Sequence, residues 1–252
     1  MKKIKDVMAL ALSISGFVPK NAGVLRTVVM LASFLLSMRL MRSGKTSRVN
    51  PLLLFAGSTV GYMGFVYAVL SKNGLRHRFI KKFENKEEAY RAYEAMLGFL
   101  FFLNGTSIGY VSSAHPDTLP FHLNKKLTRP LAAFLFIVGW TVKLWSAKVV
   151  GVDIYYWKDM FYGKKISEFV EKGPYKVLHN PMYGVGQLQT YATALWYRSL
   201  PGLIVALINQ LAVFSFYLLQ EKKFISRVYL QNEPGHKETK ALPAEAAVVD
   251  HY

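Results

Sequence analysis

At 252 residues, 52% hydrophobic and 14% aromatic with a mean hydropathy of +0.19, the chain gathers its apolar residues in long runs. That excludes an ordinary soluble domain. Its formal net charge of +17 fits basic loops lying against anionic lipid, and the apolar runs argue against a nucleic-acid binder. The absence of cysteine excludes a disulfide framework, a cysteine zinc site and a thiol nucleophile.

The N-terminal stretch MKKIKDVMALALSISGFVPK has the basic start and apolar middle of a signal peptide. It lacks a small-residue cleavage site, and further apolar runs follow, so it reads as a retained interfacial helix. A hydrocarbon core is crossed by about 20 apolar residues. Spans are expected at 22–40, 51–71, 94–113, 131–150, 183–196 and 200–219. Gly57, Gly61 and Gly64 in the second span offer a small-residue packing face. Asn104 and Thr106 interrupt the third, where polar side chains bond to neighbouring helices. The loop holding His115, Asp117 and His122 gives no helical i, i+4 pair, and no metal site is expected there.

The fourth span carries Gly139, Lys143 and Lys148 and runs into an aromatic, basic belt at 153–165. The fifth span is short and is expected to tilt, thin the bilayer or form a half-buried hairpin with the sixth. The fold class is therefore an all-α polytopic membrane helical bundle with about six transmembrane spans and a C-terminal helical hairpin. Residues 1–127 hold the interfacial helix and three spans, 128–231 form a core, and 232–252 are a polar tail expected to be disordered. Six spans put both termini on one side. That side also receives the more basic loops, around Arg76–Arg91 and Lys158–Lys176, and by the positive-inside rule it is cytosolic.

One stretch carries chemistry. Pro181 disfavours helix at Asn180 and suits a first helical turn, so a helix is expected from Met182 with free backbone N–H groups. The hairpin then returns a carboxylate, Glu221, to the same interface. Glu221 is either a ligand-facing acid or a surface partner of Lys222, Lys223 or Arg227.

Asn180-Pro181-Met182-Tyr183, a membrane hairpin, then Glu221, Phe224 and Tyr229, resembles the phosphatidylethanolamine N-methyltransferase family. That family carries N-P-M-Y, a hairpin and two adjacent glutamates. Gly139, Gly151, Asp159 and the Phe161-Tyr162-Gly163 turn fall where it has a glycine motif and a G-D-Y-F-G turn. Gly173-Pro174-Tyr175 followed by His179-Asn180-Pro181 is similar to the G-P-Y pattern of isoprenylcysteine carboxyl methyltransferases and related membrane reductases. The likeness covers 129–229. It departs at Ile137, in place of the first glycine of a G-x-G, and at Lys222, in place of the second glutamate.

The resemblance implies an integral membrane, multi-pass enzyme using S-adenosylmethionine to N-methylate phosphatidylethanolamine or its partly methylated forms. It implies Gly139, Asn180, Tyr183 and Glu221 at the cofactor. Glu221, His179 or Asp159 would take the proton that the acceptor ammonium must lose. Tyr155, Trp157 and Lys176 would meet the lipid head group. The endoplasmic reticulum is the expected membrane, with the mitochondrial membrane second and the site facing the cytosol. The alternatives are a prenylcysteine carboxyl methyltransferase, a membrane reductase, and a scaffold that lost its cofactor through Ile137 and Lys222.

Overall fold

The computed structural model describes residues 2–15, 24–44, 48–120, 123–165, 172–178 and 180–230. The expected tail at 232–252, the candidate base His179 and the loop residue His122 lie outside them. Helix α1 (Lys2–Ile14) and α2 (Val24–Ser43) are followed by α3 (Pro51–Leu70), α4 (Arg76–Ile80), α5 (Lys86–Ala114) and α6 (Lys125–Val150). Short helices α7 (Val152–Tyr155) and α8 (Lys158–Tyr162) lead to α9 (Leu188–Tyr197), α10 (Leu200–Phe216) and α11 (Lys222–Ile225). No strand occurs among the described residues.

Four described helical stretches are long and apolar enough to cross a membrane: α3, α5, α6 and the continuous run Leu200–Tyr229. At 20 residues, α2 also has the length. Asparagine caps fix three starts. The Asn50 side chain accepts from the backbone N–H of Leu52 and Leu53 ahead of Pro51. Asn85 accepts from Glu88, and Asn124 from Lys126. Each cap satisfies donors that would otherwise be orphaned, a contribution of about 1 kcal/mol.

The caps explain two departures from the expected spans. Asn85, with Glu87 and Glu88 in the first turn, starts α5 before its apolar run, because acids there suit the positive end of the helix dipole. Helix α6 likewise begins at Lys125 and carries Pro130 inside it, at the cost of one backbone hydrogen bond.

The fifth crossing differs more. No helix starts at Met182. Asn180 adopts the left-handed conformation (φ 52°), which asparagine tolerates better than most residues. Its carbonyl accepts from the N–H of Tyr183 at 3.1 Å and Gly184 at 2.9 Å, and the Pro181 carbonyl accepts from Gly186 at 2.7 Å. A 3-10 turn at Val185–Gln187 follows. Only then does α9 begin, and its 10 residues span roughly 15 Å, half a hydrocarbon core. The expected fifth span is thus broken, and α9 by itself is too short to cross. The sixth runs longer than expected: α10 continues through a π turn at Tyr217–Glu221, α11 and a second π turn. Glu221 lies within this helical run, not at its exit.

Loop contacts define two ends of the bundle. At one, Asp117 N–H donates to the Tyr197 carbonyl at 2.9 Å, and the Arg198 guanidinium pairs with Asp117. At the other, called here the near end, Arg76 donates to the Met160 carbonyl at 3.0 Å and Tyr162 to Glu87 at 2.9 Å. Tyr156 donates to the Ser13 carbonyl at 2.7 Å, tying α1 to the same end. An aromatic core including Tyr62, Tyr90, Tyr93, Phe161 and Phe216 fills it.

Leu53, Val60, Phe134, Ile137 and Leu211 are each more than half exposed, a surface suited to lipid. Between helices, Asn104 donates to Thr59 at 2.8 Å and Ser37 to Thr106 at 3.2 Å, as expected of polar groups at membrane depth. The glycines of α3 do not form a close-packed face. A Cβ at Gly57 or Gly64 would meet nothing within 4 Å, and at Gly61 only Leu100 at 3.7 Å. Close approach occurs instead at Gly139, where a Cβ would stand 2.6 Å from the backbone nitrogen of Gln189.

Gly139→Ala is therefore expected to cost about 1–3 kcal/mol through overpacking. Gly57→Ala should gain up to about 1 kcal/mol from helix propensity. Thermal melts of the purified protein in detergent check the order; equal midpoints would contradict the packing assignment.

Candidate active site

The site is built where the broken crossing meets the near end of α10. Glu221 is brought there by the π turn, a wider turn that changes the facing of the residues after it. Its Oε2 accepts from the Tyr183 hydroxyl at 2.7 Å and from the Trp157 indole Nε1 at 3.0 Å. No hydrogen bond to Oε1 occurs among the described residues. Neither do the ion pairs among them include Glu221, so it is not bound to Lys222, Lys223 or Arg227.

Both donors are held in place by strained or unusual backbone. Trp157 caps α8 in the left-handed conformation (φ 54°), which costs a bulky residue about 1–2 kcal/mol. Its ring packs edge-on against Phe216, centroids 5.1 Å apart, and is almost fully buried. Tyr183 follows the Asn180 turn. Its carbonyl accepts from the Gln210 side chain at 3.1 Å, and the Gln210 oxygen accepts from Tyr191 at 2.6 Å. Gln210 lies about ten residues into α10, so this clamp ties the irregular backbone to the middle of that helix.

A cavity adjoins this pair. It encloses about 440 Å³ of empty space, part of it open to the surroundings, lined by Tyr62, Phe101, Lys143, Tyr155, Trp157, Tyr183 and Gln187 among others. Aromatic faces dominate, with a carboxylate directly behind two of them. That chemistry fits a cation, whether an ammonium or a sulfonium. Glu221 does not line the cavity itself; it stays partly exposed behind the Trp157–Tyr183 wall.

The structure brings Tyr155, Trp157, Tyr183 and Glu221 together, and separates other candidates from them. The Asp159 carboxylate accepts from Tyr229 and lines neither this cavity nor the larger one beyond it. Lys176 is exposed on a 3-10 turn at Gly173–Lys176. Asn180 and Gly139 act through backbone: one holds the turn, the other lets α6 reach Gln189. The two departures do not intrude. Ile137 is 62% exposed on the outer face of α6, and Lys222 lines neither cavity.

Sequence reasoning passed over Lys143, Gln187, Tyr62 and Asn209. Lys143 carried a signal, since an ionisable side chain inside an apolar span is costly without a function. Tyr62 carried none, because an aromatic residue in an apolar span fits packing equally well.

Residues 127–232 match the family model described as phospholipid methyltransferase. Over 103 residues the chain is 34% identical to a phosphatidylethanolamine N-methyltransferase of Pyrenophora tritici-repentis, covering 41% of this chain and 11% of that protein. A protein of the same name from Eremothecium gossypii is 26% identical over 118 residues, 46% of this chain and 14% of the relative. One from Talaromyces marneffei is 31% identical over 109 residues, 40% and 11% respectively. The chain thus spans well under a fifth of the length of these relatives. No solved structure matches. The resemblance carried by the N-P-M-Y hairpin is therefore borne out for the C-terminal segment.

Removing either donor should weaken the tie to Glu221. Tyr183→Phe and Trp157→Phe are each expected to cost about 1.5–3 kcal/mol, the range for a hydrogen bond to a charged group. Combined with Glu221→Gln in double-mutant cycles, each should be non-additive by at least about 0.5 kcal/mol. Denaturation midpoints supply the measurement, and strict additivity would contradict the contact.

Proposed function

We propose that this chain, whose residues 127–232 match the phospholipid methyltransferases, N-methylates phosphatidylethanolamine or its partly methylated forms using S-adenosylmethionine. The observation that carries the reading is the Glu221 carboxylate, held through one oxygen by Trp157 and Tyr183, which form part of the wall of an aromatic cavity. Bound S-adenosylmethionine would supply an electrophilic methyl group on a sulfonium.

The chain's own residues have two tasks, positioning and deprotonation. An ethanolamine amine is an ammonium at neutral pH and has no lone pair until it loses a proton. Glu221 takes that proton through Tyr183, which lines the cavity: the N–H bond breaks, the Tyr183 oxygen accepts the proton and passes its own to Glu221 Oε2, and the nitrogen lone pair is freed. Trp157 donates to the same oxygen, so the carboxylate cannot turn away from Tyr183. The ring of Trp157 replaces water around the ammonium and favours cationic groups of growing size as methyls are added, while Tyr155 faces the Lys143 ammonium beside it. Tyr183 and Glu221 also provide the dipole and negative charge that suit a sulfonium, while Asn180 and Gly139 fix the 180–189 backbone around it.

The near-end loops carry Arg76, Arg78, Lys81, Lys82, Lys158, Lys164 and Lys165, and the positive-inside rule supports a cytosolic position for Glu221. A water-soluble methyl donor reaches that face directly, and a lipid acceptor reaches the cavity from the bilayer. The endoplasmic reticulum suits both.

Labelled-methyl transfer into phosphatidylethanolamine vesicles, measured with the purified full chain, tests the reading. Glu221→Gln should lower the rate about 10²–10⁴-fold, and Lys222→Ala should leave it within a few-fold. No transfer by the wild type, with no binding of S-adenosylhomocysteine, would overturn it.

A further inference from the structure

Lys143 lies on α6 with 2% of its surface exposed, in a stretch otherwise suited to lipid contact. None of the ion pairs among the described residues includes it. Its ammonium stands 4.9 Å from the centre of the Phe101 ring and 5.9 Å from that of Tyr155. Two ring faces do not replace a counter-ion, and a buried, unpaired ammonium costs several kcal/mol. Such a charge is maintained for a ligand more readily than for packing.

The position of Lys143 defines the ligand. It lines the aromatic cavity beside Trp157 and Tyr183, and also a second cavity with about 780 Å³ of empty space, part of it open to the surroundings. Phe101 and Gln187 line both as well, so the two are neighbours along one wall. The second cavity extends to Phe136, which is 49% exposed on the lipid-facing side of the bundle. Two buried acceptors, Gln189 Oε1 and Asn209 Oδ1, belong to its lining residues and have no hydrogen-bond partner among the described residues, so it has a place for a donor such as ordered water.

We infer that Lys143 is an oxyanion-binding residue at the junction of the two cavities, holding the phosphodiester of the acceptor lipid while its amine lies against Trp157 and Tyr183. The inference rests on the lipid-methyltransferase reading for the identity of that ligand. The cation–oxyanion chemistry is shared by the carboxylate of the methyl donor's amino-acid moiety, and the test separates the two sources. Lys143 then selects phosphodiester-bearing amines over uncharged amphiphiles. Loop lysines such as Lys176, exposed and away from both cavities, are left with general attraction to the membrane.

The full chain, its Lys143→Met variant and its Lys143→Arg variant are reconstituted in nanodiscs. Retention of phosphatidylethanolamine against diacylglycerol with the same acyl chains is read by native mass spectrometry, and S-adenosylhomocysteine affinity by titration. Lys143→Met should lose at least about tenfold in phosphatidylethanolamine preference, Lys143→Arg should keep most of it, and S-adenosylhomocysteine affinity should not change. Loss of S-adenosylhomocysteine affinity with lipid preference intact would assign the same residue to the donor's carboxylate, overturning the phosphodiester assignment. No change in either would overturn the oxyanion site. Removing an unpaired buried charge should not lower the melting temperature, so misfolding does not obscure the result. Lysine-dependent lipid retention without methyl transfer would sink the enzyme reading and keep the site; methyl transfer and lipid preference unaffected by Lys143→Met would do the reverse.

Discussion

The interaction on which the near end depends is a carboxylate held by two aromatic donors. Placing Glu221 against tyrosine and tryptophan rings removes it from much of its water, a penalty of several kcal/mol. The hydrogen bonds from Tyr183 and Trp157 offset that penalty and fix the side chain through one oxygen. Each donor has its own requirement. Trp157 must adopt a left-handed backbone between α7 and α8, and Tyr183 must be delivered by the turn that Asn180 closes. The aromatic core around Phe161 and Phe216 makes both affordable by burying the rings they stand on.

The broken fifth crossing follows from the same constraint. A regular helix from Met182 would use the N–H groups of the 186–187 region within its own ladder and present a continuous cylinder to α6. Turns and a 3-10 segment instead let the backbone approach α6 at Gly139 and leave Gln187 facing the cavities. Irregular backbone at membrane depth is tolerated only where protein buries it or it lines a cavity. Here Pro181, Gly186 and Gln187 are buried, and Gln210 satisfies the Tyr183 carbonyl. Discontinuous helices of this kind mark ligand sites in other membrane folds for the same reason.

Much of this was legible in the sequence, and the failures have physical causes. Apolar runs located α3 within a residue and gave the sorting of loops between the two ends, because hydropathy directly measures the cost of entering lipid. Helix starts were missed at Lys86 and Lys125, since capping by Asn85 and Asn124 extends helices past the apolar run that defines a span. The break at 180–187 was half visible: Pro181 announced it, but the backbone pairing that delays the helix to Leu188 depends on Asn180 going left-handed. Glu221 was singled out by its charge. Its partners were not, as Trp157 in an aromatic belt reads as an interfacial anchor until its indole is seen on the carboxylate. Ile137 looked like an obstruction because a motif names a position and not a direction; on α6 it points outward.

Titration of S-adenosylmethionine into the purified full chain, wild type and Glu221→Gln side by side, tests most directly whether this carboxylate anchors a methyl-transfer site. The account predicts saturable binding to the wild type at one site, weakened at least about tenfold by the substitution, as expected when the negative charge that suits the sulfonium is lost from a partly desolvated site. Equal affinity for the two proteins, or no binding to either, would contradict it.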